Sequence, residues 1–210
     1  MLLIISCFVC CATSLWLSFV AQPKLAGSFK ILASLSVVLL AYSLKLFETS
    51  PWFVTGLMFC MIGDAWLIIK GKGLAFTFGI ISFMLAHVLY ALAFIESGIV
   101  VNTLIFSAVV VVIFTWVLAQ WLLKGLRPIH KKLVVGYLLV IGTMVSLSWS
   151  TLNQTEVTIY FGLGASLFAA SDVFVAINRF KNPAFINRIL GLPLYYTAQC
   201  LLTLGFYKML

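Results

Sequence analysis

Charge is what this chain has least of. Asp, Glu, Lys and Arg make up 9% of its 210 residues and apolar residues 64%, where a soluble domain carries roughly 25% charge. That shortage excludes a soluble globule, since a fold of this size cannot bury so much apolar side chain away from water. Long polar loops are missing as well, so any chemistry must lie among the apolar segments or at their ends. There is no serine nucleophile elbow, no zinc-type histidine pair and no glycine-rich phosphate loop. The five cysteines (Cys7, Cys10, Cys11, Cys60, Cys200) sit in apolar runs with no histidine or second cysteine pair to complete a metal cluster, and read as apolar filler. No metal or cofactor is expected. Each of the five prolines (Pro23, Pro51, Pro128, Pro183, Pro193) falls in a connection or a first helical turn, so no span reads as broken at its middle.

What is there is hydrophobic length. A membrane-spanning helix needs about 20 mostly apolar residues, and polar punctuation divides the chain into eight such runs: 2–21, 29–47, 52–69, 74–95, 99–123, 133–151, 157–177 and 190–207. Only helices or closed barrels satisfy the backbone in lipid, and these runs lack the period-two alternation of barrel strands. The expectation is an all-α integral membrane protein forming a single transmembrane domain over residues 1–210. Eleven of the thirteen bases follow spans one, three, five and seven: Lys24, Lys30, Lys70, Lys72, Lys124, Arg127, Lys131, Lys132, Arg179, Lys181 and Arg188. The alternate connections carry Glu48, Glu96 and Glu156, with Lys45 the nearest base. The positive-inside rule therefore puts the basic connections in the cytoplasm and both termini outside (N-out, C-out). The net charge of +8 is spread over four short connections, which suits lipid headgroups and not nucleic acid. The first span lacks a basic leader and a small-residue cleavage site, and reads as a retained helix.

Against this background two aspartates stand out. Asp64 and Asp172 lie inside spans three and seven, where a carboxylate costs about 3 kcal/mol on insertion scales, so each is a functional-site candidate. Their surroundings are alike. Gly63-Asp64-Ala65-Trp66-Leu67-Ile68-Ile69-Lys70 parallels Ser171-Asp172-Val173-Phe174-Val175-Ala176-Ile177-Asn178, and Ala86-His87 precedes Phe94 by the interval at which Ala198-Gln199 precedes Phe206. A four-plus-four parallel repeat about an axis along the membrane normal is a possible origin. Each aspartate sits six residues before the predicted end of its span, about 9 Å by helix rise, which predicts one shared depth. Two carboxyls sharing one site resist double ionisation. One then keeps its proton and serves as an acid, while the other serves as a base or an anion. The competing reading is neutral hydrogen-bonding glue between helices.

Other polar residues gather near this level. Lys30 opens span two, where it binds a phosphate or snorkels to headgroups. Gly79, Phe83, His87 and Tyr90 share one face of span four, with His87 expected roughly 10 Å deeper than the aspartates as a pocket residue. Span eight offers Tyr195, Tyr196 and Gln199, with Gln199 facing inward and the tyrosines facing inward or anchoring at the interface. Asn178 is the polar stop of span seven.

At these residues the chain resembles the YhhN-like lysoplasmalogenase family of eight-span membrane proteins. The resemblance rests on Phe29-Lys30, Gly63-Asp64, Gly79, Phe83, His87, Tyr90, Gly164, Phe168, Ser171, Asp172, Tyr195, Tyr196 and Gln199, and runs from about residue 24 to the C-terminus. Ile31 departs from the proline usual after the lysine, which alters the entry to span two and bears on the role of Lys30. The resemblance implies hydrolysis of the vinyl ether bond of lysoplasmalogens (lysoplasmenylethanolamine or lysoplasmenylcholine) to a fatty aldehyde and a glycerophospho-base. Asp64 and Asp172 would be catalytic, with Lys30, His87, Tyr90, Asn178, Tyr195, Tyr196 and Gln199 contacting substrate. The partners implied are a lysophospholipid, water and membrane lipids. The setting is a bacterial inner membrane, with the active site near the cytoplasmic leaflet and the phosphate near Lys30 or Lys24. Which aspartate is the acid is open. The alternatives are a proton-coupled transporter of a small molecule or lipid using the same pair, or a non-catalytic lipid-binding scaffold.

Overall fold

The computed structural model describes residues 1–69, 73–152 and 155–210. Lys70 and Lys72, two of the bases behind the orientation reading, lie outside the described residues. Among those described, the chain forms α1 (Leu2–Phe19), α2 (Pro23–Ser43), a short α3 (Leu46–Thr49), α4 (Pro51–Ile68), α5 (Gly73–Glu96), α6 (Val101–Leu122), α7 (Pro128–Ser148), α8 (Thr155–Phe180) and α9 (Phe185–Lys208). Eight of these are long and apolar enough to cross a bilayer, matching the eight runs read from the sequence.

The helices overrun the apolar runs at the basic end. The second span starts at Pro23 and not residue 29, the sixth at Pro128 and not 133, and the eighth at Phe185 and not 190. Pro23 and Pro128 open their helices because a first-turn proline loses no hydrogen bond and fixes a helical φ. Hydropathy sees only the lipid-soluble part; the extra turns carry polar or charged side chains. One expectation is corrected here. Pro193 is interior to α9, which begins eight residues earlier, so its ring removes the hydrogen bond to the Ile189 carbonyl while the helix continues through it.

Connections separate by charge. At one end Arg188 Nη1 is 3.4 Å from Ser18 Oγ, Lys181 Nζ donates to the Lys124 carbonyl at 2.7 Å, and the Phe180 ring meets those of Phe76 and His130. At the other end Trp52 donates to Glu96 at 2.7 Å, Lys208 pairs with Glu156 at 2.7 Å, and Ile99 bridges to Thr151. The basic connections after α1, α6 and α8 therefore share a face opposite the acidic one.

Lipid tails are as apolar as leucine, so close packing has to hold the bundle together. The tightest neighbours are α1 with α2, α4 with α5 and α8 with α9. A Cβ on Gly56 would lie 2.5 Å from the Tyr90 ring and 3.2 Å from the Ala86 carbonyl; on Gly164 it would lie 2.8 Å from Leu202 and 3.3 Å from the Ala198 carbonyl. The α4–α5 contact thus recurs in form between α8 and α9. Away from the basic end, Phe53, Phe94, Phe161 and Phe206 pack as one buried cluster, with centroids 4.4 Å apart for Phe53–Phe206 and 4.5 Å for Phe161–Phe206. Gly56→Ala should cost about 1–3 kcal/mol, because the Tyr90 ring it displaces is tied by its hydroxyl to Gln199. A thermal unfolding scan in detergent checks this, and an unchanged midpoint would contradict the packing argument.

The helix α6 is the exception. Only Ser107 and Leu122 of it are buried. It lies along α7, held by Ser107 Oγ donating to the Ser146 carbonyl at 3.0 Å, and touches α8 at few points. Its separation from the bundle helps open the cavity that defines the site.

Candidate active site

A cavity of about 1090 Å³ opens at the basic end and runs along α6, α7 and α8. Its wall is mainly apolar, and the polar side chains it reaches include Lys30, Asp64, Tyr137, Asp172, Asn178 and Tyr195. Both aspartates therefore face one space, but they are not bonded to each other. Each has its own cluster.

Asp64, on α4, is 1% exposed. Ser34 Oγ donates to its Oδ2 at 2.6 Å, Tyr195 OH donates to the same oxygen at 2.9 Å, and Lys30 Nζ stands 2.7 Å from Oδ1. That last contact is ionic, with angles outside hydrogen-bond geometry, so Oδ1 is balanced by the ammonium alone. Every neighbour is a donor or a cation, which suits a carboxylate. Lys30 and Ser34 share one face of α2 at a spacing of four, which presents both to α4.

Asp172, on α8, is more open, with its side chain 16% exposed. Tyr137 OH donates to Oδ2 at 2.6 Å, and His87 Nε2 lies 3.1 Å from Oδ2 and 2.9 Å from the Tyr137 oxygen. Oδ1 takes no hydrogen bond among the described residues. His87 is fully buried, and its Nδ1 has no partner among them. An orphaned N–H inside a bundle is rarer than an orphaned acceptor, which assigns the ring hydrogen to Nε2, aimed at Tyr137 and Asp172.

An aromatic ladder joins the two clusters. The His87 ring meets Phe168 edge-on at 4.7 Å, and Phe168 meets Tyr195 edge-on at 5.2 Å. Tyr195 then bonds Asp64. The expectation of His87 as a residue well below the aspartates changes accordingly. Because α8 runs to Phe180, Asp172 lies eight residues from its end, about 12 Å by helix rise, while Asp64 lies four residues from the end of α4, about 6 Å. The two are not equally spaced from their helix ends, and His87 belongs with Asp172.

Of the remaining candidates, Tyr90, Gln199 and Tyr196 lie behind the cavity wall. Tyr90 donates to Gln199 Oε1 at 2.8 Å, and both are buried. Tyr196 donates to the Lys30 carbonyl at 2.7 Å and sits 3.1 Å from Ser34, tying α9 to α2. Asn178 lines the mouth while its Oδ1 caps the Ala184 N–H. Two residues escaped the sequence reading, Tyr137 and Ser34. A phenol in the middle of span six was a signal, since a buried hydroxyl needs a partner.

Eight membrane-length helices around two carboxylates that face one apolar cavity define a polytopic membrane protein. The chain belongs to the YhhN family, whose sequence profile matches residues 25–206. It is similar to lysoplasmalogenase TMEM86A of Bos taurus, 30% identical over 203 residues that cover 91% of this chain and 82% of that protein. It is also similar to lysoplasmalogenase TMEM86A of Homo sapiens, 31% identical over 157 residues (71% of this chain, 62% of that protein), and to lysoplasmalogenase of Mycobacterium bovis, 27% identical over 193 residues (89% and 70%). No solved structure matches.

Proposed function

We propose that this protein is a membrane-embedded hydrolase that cleaves the vinyl ether bond of a lysoplasmalogen, with Asp172 as the acid. The named relatives support the substrate. The observation that carries the mechanism is the Asp172 carboxyl: one oxygen held by Tyr137 and His87, the other unbonded, beside an apolar cavity.

The reaction follows from the chemistry of an enol ether. Asp172 delivers its proton to the β-carbon, the double bond supplies the electron pair, and an oxocarbenium ion forms. Water adds to the cationic carbon and passes a proton back to the Asp172 carboxylate, as in a glycosidase. The hemiacetal then collapses: its hydroxyl gives up its proton as the aldehyde C=O forms, and the C–O bond to glycerol breaks as that oxygen takes a proton, so none is gained or lost overall. One water is consumed, and aldehyde and alcohol are released. Tyr137 and His87 stabilise the carboxylate that appears once the proton has left. Asp64, surrounded by donors, contributes fixed negative charge and, through Tyr195, orients the wall between the clusters.

The cavity suits a single chain. Its α6 lining runs from Thr103 to Leu122, about 28 Å by helix rise, against a hydrocarbon core about 30 Å thick. The substrate enters from the leaflet at the basic end, which the distribution of bases makes cytoplasmic.

The test is direct. Purified protein in lipid nanodiscs should release aldehyde from a lysoplasmenyl lipid and none from its saturated 1-alkyl analogue. Folded protein that yields no aldehyde with any headgroup would remove the reading.

A further inference from the structure

We infer that Arg179 and Arg188 form a phosphate clamp at the cavity mouth and that they, not Lys30, read the phosphodiester of the lipid substrate. This rests on the substrate being a single-chain phospholipid. Lys30 stands 2.7 Å from Asp64, and releasing it to a phosphate would leave a buried carboxylate without its counter-ion. The basic face has no other acid to offer its cations. Asp172 is bonded to Tyr137 and His87, Glu156 pairs with Lys208, Glu96 accepts from Trp52 at the opposite end, and Glu48 is on α3.

Both arginines line the cavity and have no carboxylate partner among the described residues. Each is steadied by a neutral contact: the Arg179 guanidinium lies 4.2 Å over the Phe76 ring, and Arg188 Nη1 is 3.4 Å from Ser18 Oγ. A guanidinium has five donors, so donors remain on both forks.

Register makes the case stronger. Arg179 follows Asp172 by seven residues on α8, and Arg188 precedes Tyr195 by seven on α9. Seven residues are close to two full turns, so each arginine shares a helix face with a site residue and stands about 10 Å from it toward the mouth. In a 1-alkenyl lysophospholipid six bonds join the enol-ether carbon to phosphorus, a reach of about 8 Å at the spacing of an extended chain. With the enol ether at Asp172, the phosphate reaches the level of the two arginines, whose planar guanidinium donors match its oxygens.

The experiment pairs a lysoplasmenylethanolamine with a 1-alkenylglycerol, which carries the same enol ether and no phosphate. Both are assayed in phosphatidylcholine nanodiscs with wild type, R179Q, R188Q and the double variant. The double variant should raise KM for the phospholipid about 30-fold with kcat nearly unchanged, and leave the alkenylglycerol unaffected. Lys131→Gln and Lys181→Gln, which remove charge from the same face, should do neither. Equal losses with both substrates, or an equal KM rise in the lysine controls, would overturn the clamp. So would displacement of substrate by millimolar inorganic phosphate, since the site would then be taking a free anion and not a lipid phosphodiester.

Binding of a saturated 1-alkyl lysophospholipid, followed by fluorescence of the cavity-lining Trp66, separates the clamp from the reaction. Arginine-dependent binding without aldehyde keeps the clamp and removes the reaction. Aldehyde release with unchanged KM in the double variant does the reverse.

Discussion

Asp172→Asn should reduce aldehyde release by about 1,000-fold, within the range for losing a general acid, and leave the protein folded. The amide keeps the shape of the carboxyl and can still accept from Tyr137 through its oxygen, so the cluster survives. It has no proton acidic enough to place on carbon. Stability should hardly change, because the bonded neighbours of Asp172 are a phenol and an imidazole and the side chain is 16% exposed, so no buried cation is left behind. Tyr137→Phe removes one donor from the carboxylate that forms after proton transfer and should cost about 10-fold. The assay is aldehyde trapped as a hydrazone, alongside an unfolding scan on the same preparation. Full activity in Asp172→Asn would remove it from the mechanism and leave Asp64 as the remaining candidate for the acid.

That assignment depends on contacts that one-dimensional reading cannot reach. The eight spans were legible because lipid selects for uninterrupted apolar length, and both aspartates were legible because a carboxylate in such a run is costly. Helix ends were less legible, because Pro23 and Phe185 begin helices outside the apolar window. The cost of burial says that a carboxylate needs a partner but not which one. Lys30 was legible as a residue of this level and its attachment to Asp64 was not, since that bond joins α2 to α4. Tyr137 was missed for the same reason: its meaning comes from α5 and α8 converging on α7, while its own span offers only a phenol among aliphatic residues. Spacing by helix rise predicted one level for the carboxylates and a deeper one for His87. The longer α8 joined His87 to Asp172.

Asp64→Asn should behave in the opposite way, as a stability lesion first. Removing one partner of a buried ion pair leaves the other uncompensated, at about 3–5 kcal/mol. Here the partner left is the Lys30 ammonium, only 19% exposed, with its nearest anion gone. Activity should fall with the folded fraction and no further, since the amide oxygen can still accept from Ser34 and Tyr195. The diagnostic variant removes both charges. Lys30→Met with Asp64→Leu eliminates the orphaned ammonium, so the double variant should unfold at a higher temperature than either single one, giving a coupling energy in a double-mutant cycle. Lys208→Gln with Glu156→Gln supplies the contrast: that pair is exposed at 38% and 62%, so its removal should leave the unfolding midpoint in place. If Asp64 were instead the proton donor, Asp64→Asn would lose activity at unchanged stability. A pairing role predicts a stability loss that Lys30→Met shares and that the double variant relieves.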